Sequence, residues 1–145
     1  MANNEPLQAL DLTSASIGDE GAEAIFEALK LNTTLTELVL AENSITSKAL
    51  KAAVPVLTLQ NTTLQHLDLT CTEIGNEGAR LLAGILMINT TLRTVILQDA
   101  QIGDEGATEL SKALRLNKTL ELLDLASNQF ETFQLADLDR GAEPN

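Results

Sequence analysis

The chain repeats itself. The pattern Leu-x-x-Leu-x-Leu opens at Leu7, Leu35, Leu64, Leu92 and Leu120, so the starts stand 28, 29, 28 and 28 residues apart. A period of this length marks a chain built from stacked supersecondary units. One unit alone cannot bury its apolar side, whereas neighbours stacked on it can.

Each unit reads as a strand, a turn, a helix and a return loop. Leu10 and Leu12 recur as Leu38 and Leu40, Leu67 and Leu69, Val95 and Leu97, and Leu123 and Leu125. They alternate with polar residues, which predicts five short strands stacked in parallel about 4.8 Å apart. Ile17, Ile45, Ile74, Ile102 and Phe130 follow and are expected to tuck the loop under the sheet. Asp19, Ser47, Asn76 and Asp104 share one register and suit helix N-caps. Glu20, Glu77 and Glu105 come next, where the helix dipole favours negative charge. Ala22, Ile25, Ala28 and Leu29 form an apolar helix face, repeated by Ala79, Leu82, Ile85 and Leu86 and by Ala107, Leu110, Ala113 and Leu114. Gly21, Gly78 and Gly106 keep that face small; Gly18, Gly75 and Gly103 stand where a turn can require positive φ. The string IGDEGA has two acids and no lysine, so it is not read as a phosphate cradle.

Repeat two departs from the others. It has one extra residue and places Pro55 inside the helix, which predicts a kink or bulge. Asn32, Asn61, Asn89 and Asn117 each stand in Asn-x-Thr, the pattern of a glycan acceptor. Their common register at helix ends favours a structural role in the closing turn.

The string Ile-Gly-x-Glu-Gly-Ala, followed by Ala-Leu and Asn-Thr-Thr-Leu, resembles the ribonuclease-inhibitor-like leucine-rich repeats. Such repeats occur in NOD-like receptor arrays and in protist and bacterial leucine-rich proteins. The resemblance runs from Leu7 to about Phe130. It implies an α/β leucine-rich-repeat solenoid, a short horseshoe with a concave parallel sheet and convex helices. Residues 1–145 then form one domain of about four full repeats and a partial fifth, with 131–145 as a C-terminal cap or tail. The family's asparagine or cysteine ladder falls on Ala15, Asn43, Thr72, Ala100 and Asn128, so the strand-to-helix loops should be tied less tightly than in a full ladder. Ribonuclease inhibitor is rich in cysteine and aromatic contacts; this chain has one Cys and 2% aromatics, so ribonuclease inhibition is not expected.

In such arrays the exposed strand positions bind partners. Here the central column is Asp11, Val39, Asp68, Ile96 and Asp124. One flank is Ala9, Glu37, His66, Thr94 and Leu122, and the other is Thr13, Ala41, Thr70, Gln98 and Ala126. No Lys or Arg occupies these columns, so the expected partner is a protein of basic or mixed charge. The candidate contacts are Asp11, Glu37, Val39, His66, Asp68, Thr94, Ile96, Gln98, Leu122 and Asp124.

A net charge of −12 argues against nucleic acid and against anionic membrane surfaces. Asp11, Asp68 and Asp124 lie on alternate strands, roughly 9 to 10 Å apart, too far to share a metal ion. His66 and Asp68 lie on an open face that does not exclude water, and Cys71 falls past the strand end, so no enzyme site is expected. No cofactor is expected either. The chain lacks a basic start followed by a long apolar run, which favours the cytoplasm, whether of its own cell or of a host receiving an effector. Six residues before Leu7 are too few for a cap, while Phe133, Leu135 and Leu138 suit a capping helix. The uncovered first repeat fits either a fragment or a pair of copies, and a monomer or weak homodimer is expected. Two other functions stay open: self-association through the solenoid ends, and the activity of the Ran GTPase-activating proteins, which share the fold.

Overall fold

A computed structural model of the chain describes residues 5–131. The expected caps in Phe133, Leu135 and Leu138 lie outside the described residues. The elements run β1 (Ala9–Asp11), α1 (Asp19–Ala28), β2 (Glu37–Val39), α2 (Ser47–Pro55), β3 (His66–Asp68), α3 (Gly75–Ile88), β4 (Thr94–Ile96), α4 (Asp104–Leu116) and β5 (Leu122–Asp124). The five strands form one parallel sheet in sequence order. Leu10, Leu38, Leu67, Val95 and Leu123 pair in a single row through all four joints. Parallel strands sit about 4.8 Å apart, whereas packed helices need about 8 to 10 Å. The mismatch bends the stack, with strands inside and helices outside.

The core is almost wholly aliphatic, Phe26 being its one aromatic side chain among the fully buried residues. Each unit's position against the preceding unit is visible in its burial. Ala28 is exposed, although its equivalents Val56, Ile85 and Ala113 are fully buried. That register packs against the preceding helix, which α1 lacks. Gly78 and Gly106 belong to the same joint. An added Cβ would stand 3.1 Å from Leu50 Cδ1 at Gly78 and 2.9 Å from Ala79 Cβ at Gly106.

The extra residue of repeat two is absorbed in its helix. The interval from Ile45 to Asn61 is 16 residues, against 15 from Ile17 to Asn32, Ile74 to Asn89 and Ile102 to Asn117. After Pro55 the chain winds as a π-helical turn, Val56–Gln60, and Asn61 N–H reaches back to Val56 O at 2.8 Å. The wider turn holds the additional residue, so Asn61 arrives in register with Asn32 and Asn89.

Two sequence expectations change. The residues read as N-caps do not cap their own helices; Gly18, Thr46, Ile74 and Gly103 hold the cap positions. Stacking places three of these side chains, Asp19, Asn76 and Asp104, against the backbone of the next repeat instead. Asp19 accepts from Thr46 N–H and Thr46 Oγ1, both at 2.7 Å. Asn76 Oδ1 accepts from Gly103 N–H (2.8 Å) and Gly106 N–H (3.0 Å). Asp104 Oδ1 accepts from Glu131 N–H at 3.1 Å. Second, Gly18 and Gly103 are extended, and Gly75 alone of its register has positive φ, 60°. Positive φ falls instead on Ser14, Glu42, Cys71, Asp99 and Ser127, all of one register, at 47° to 59°, and two residues further on at Ser16 (57°) and Gln101 (59°). At the helix ends, Asn61, Asn89 and Asn117 form a side-chain ladder between repeats, in line with the structural role read from their register.

Candidate partner-binding face

Strand pairing places the predicted columns side by side. Ala9, Glu37, His66, Thr94 and Leu122 form one row, and Asp11, Val39, Asp68, Ile96 and Asp124 form another. Asp11, Glu37 and Leu122 are exposed; Val39, His66, Asp68, Thr94, Ile96, Gln98 and Asp124 are half-buried. Of the third column, Thr13 and Ala126 are exposed and Thr70 is half-buried, but Ala41 is buried and offers little contact.

The aspartates of the central row have a structural task that the sequence reading missed. Each closes the turn after its strand by accepting the N–H two residues on. Asp11 Oδ1 takes Thr13 N–H (2.9 Å) and Thr13 Oγ1 (2.6 Å). Asp68 Oδ1 takes Thr70 N–H at 2.8 Å, and Asp124 Oδ1 takes Ala126 N–H at 3.0 Å. The recurring Asp-Leu-Thr or Asp-Leu-Ala was the available signal. The Thr13 hydroxyl and amide hold the Asp11 carboxyl below the usual carboxylate range. Gln98 Nε2 donates to Asp124 Oδ2 at 2.5 Å, joining two of the candidate contacts across strands.

Beside these columns runs the positive-φ register, whose side chains are exposed. Ser14 Oγ donates to Glu42 Oε2 at 2.5 Å, and Cys71 Sγ lies 3.8 Å from Asp99 Oδ2. Local loss of solvation first, then the charges of Asp99, Glu42 and Asp68, push the Cys71 thiol upward, which disfavours the nucleophilic thiolate. Ser14 and Ser127 carry no sequence signal for this backbone, since the left-handed region favours Gly and Asn.

Behind the face, Asn43 and Asn128 span adjacent repeats. Asn43 Oδ1 accepts from Ile17 N–H, and its Nδ2 donates to Leu12 O, Leu40 O and Ala41 O. Asn128 Oδ1 accepts from Ala100 and Ile102 N–H, and its Nδ2 donates to Leu97 O, Leu125 O and Ala126 O. Thr72 makes only a local bond, from Oγ1 to Leu69 O of its own repeat.

A leucine-rich-repeat family profile matches residues 3–26, 31–52, 60–83 and 89–111. The chain belongs to the leucine-rich-repeat family. Over 83 residues it is similar, at 31% identity, to NACHT, LRR and PYD domains-containing protein 5 of Bos taurus. That match covers 57% of this chain but spans only 8% of that protein's length. Among solved structures, the leucine-rich-repeat chain is similar to Leiomodin-1 Actin-Binding Site 2, with a TM-score of 0.78 at 25% identity. The alignment covers 96% of this chain and 79% of that one. Among the described residues no helix is long and apolar enough to cross a membrane.

Proposed function

We propose that the chain is a protein-binding module that seats its partner on the strand face. The supporting observation is the in-register alignment of ten outward side chains from five strands, free of Lys and Arg, on a scaffold whose core is closed without them. The similar solved structure is an actin-binding site of leiomodin-1, which supports protein recognition as a use of this architecture. Val39, Ile96 and Leu122 supply apolar contact; Asp11, Glu37, Asp68 and Asp124 select a basic or mixed surface, with His66, Thr94 and Gln98 between them. A cytosolic location and a non-catalytic role belong to the same proposal.

The aspartates also close turns, so charge and fold must be separated in the test. Asp68→Asn and Asp124→Asn keep the Oδ1 acceptor and remove the charge, while Glu37→Lys reverses a charge on an exposed side chain. Filamentous actin is the first probe, followed by capture from lysate. The triple variant should bind the captured partner at least about tenfold more weakly, the equivalent of one or two interface contacts. Glu105→Lys, on the convex helix α4, should bind like the wild type. Equal binding by the triple variant, or loss confined to Glu105→Lys, would remove the strand face from the account.

A further inference from the structure

Exposed apolar side chains are concentrated along one line of the surface. Of the seven large hydrophobic side chains exposed among the described residues, five stand where a helix ends and the return to the next strand begins: Leu31, Leu59, Met87, Ile88 and Leu116. Each lies one or two residues before the asparagine of its repeat, Asn32, Asn61, Asn89 or Asn117. The position itself is open. Leu59, Met87 and Ile88 have a repeat stacked on either side and are still 79%, 42% and 60% exposed. The core closes without them, and contiguous exposed apolar surface of this kind marks an interaction site.

The charge along this line is opposite to that of the rest of the molecule. Segments 27–36, 56–65, 84–93 and 112–121 hold five basic residues, Lys30, Arg93, Lys112, Arg115 and Lys118, and two acidic ones, Glu27 and Glu121, a net of +3. The other described residues hold three basic and sixteen acidic side chains. Lys30 pairs with Glu27, Arg93 with Glu121 and Lys112 with Glu109. Arg115 and Lys118 are exposed and form no ion pair among the described residues.

We propose that this helix-to-strand edge docks an acidic amphipathic helix of a protein partner. The helix lies across the helix ends, its apolar stripe on Leu31, Leu59, Ile88 and Leu116 and its carboxylates toward Arg115 and Lys118. The spacing suits a helix. Packed helices stand about 8 to 10 Å apart, so the apolar line advances by about that much per repeat. Seven residues of an α-helix advance about 10.5 Å, so every seventh residue of the partner meets one repeat. An extended peptide fits less well, because it needs backbone partners and the closing turns have committed theirs. Asn61, Asn89 and Asn117 accept from Leu64, Leu92 and Leu120 N–H and donate to Leu29, Leu57 and Leu86 O. A second copy offers no such helix among the described residues, since α1 to α4 spend their apolar faces on the core. An anionic membrane is a plane wider than the edge and meets the surrounding acidic side chains as well. A helix as narrow as the edge feels mainly the charges within a Debye length, about 10 Å at 0.1 M salt. The strand face takes no part in this contact, so either reading can fail without the other.

Selection of binders to the whole chain from a phage-displayed library of helices tests this. The helices have one face randomised and run to about 24 residues, long enough at about 1.5 Å per residue to cross four repeats. Enriched peptides should carry large apolar residues at a seven-residue spacing, flanked by Asp and Glu. The tightest of them, made synthetically, should bind more weakly as salt rises. Leu59→Ser with Ile88→Ser, both at exposed positions, should weaken its binding about tenfold or more. Arg115→Gln with Lys118→Gln should weaken it about threefold and flatten the salt dependence. Circular dichroism checks the fold of both, and the second pair carries the test should the first misfold. Glu105→Gln, at the opposite end of α4, should bind like the wild type. A selection that enriches no peptide, peptides without acidic residues, or equal binding by both variant pairs would each overturn the proposal. So would phosphatidylserine vesicles that bind through Ile88, or self-association of the free chain that Ile88→Ser abolishes, since these assign the edge to a membrane or to a second copy.

Discussion

The two edges of the solenoid solve the same problem differently. At the helix-to-strand edge, one residue type does the work in every repeat. Asn32, Asn61, Asn89 and Asn117 each accept from the N–H groups two and three residues on, with Leu35, Leu64, Leu92 and Leu120 among the donors. From Asn61 onward each also donates to a helix-end carbonyl of the repeat before. Those carbonyls have no partner within their own helix, so the side-chain amide satisfies them. At the strand-to-helix edge the solution varies: Asn43 and Asn128 bridge, Thr72 bonds locally, and Ala15 and Ala100 contribute no side chain. In every repeat the backbone there also takes positive φ on a non-glycine residue. The uniform edge sets the repeat's spacing. The variable edge borders the strand face, where one repeat can differ from the next without disturbing the stack.

Breaking the uniform edge should therefore cost most. Asn89→Ala strands Leu57 O and the N–H groups of Thr91 and Leu92 in a buried turn, a loss of roughly 3 kcal/mol. Asn43→Ala should lose about 2 kcal/mol, since Leu12 and Ile17 are half-buried and water reaches the loop. Urea unfolding of both variants ranks them; a larger loss at Asn43 would reverse the comparison. The same bonds bear on modification. Nδ2 of Asn61 and Asn89 is buried and committed, so neither is a glycan acceptor in the folded chain.

The variable edge should yield a gain. Gln101 has a φ of 59°, and its side chain is exposed, so its removal leaves no buried gap. Gln101→Gly should raise stability by about 0.5 to 1 kcal/mol, the left-handed strain relieved less the extra freedom of the unfolded chain. A fall in the urea midpoint would count against strain at Gln101.

The smallest effect concerns acid. Burial pulls the Asp19 carboxyl up, but hydrogen bonds from Thr46 N–H, the Thr46 hydroxyl and Ala49 N–H, with Lys48 nearby, together hold it below its ordinary value of 3.8. Its contribution is therefore full above 3.8 and fades as pH falls through the lower, folded value. Asp19→Asn keeps an acceptor and removes the titration, so its stability should fall less steeply in that window than the wild type's. Parallel slopes would show that Asp19 does not link folding to protons.

The period, the strand register and the core row were readable because each rests on a residue type recurring at one spacing. Pro55 and the extra residue pointed to a local bulge, and the π turn is that bulge. The caps were misassigned because Asp19 and Asn76 act on the next repeat, a contact 27 or more residues away that a local rule does not contain. The positive-φ register was invisible because Ser, Glu, Cys and Asp do not announce it. On the strand face, position was legible from alternation, while the turn-closing role of Asp11, Asp68 and Asp124 needed the fold.

Amide hydrogen exchange with and without the captured partner tests the central claim most directly. The strand face as binding surface predicts slowed exchange in the segments 8–13, 36–42, 65–71, 93–99 and 121–127, with α1 to α4 unchanged. Protection confined to those helices, with the strand segments unaffected, would contradict it.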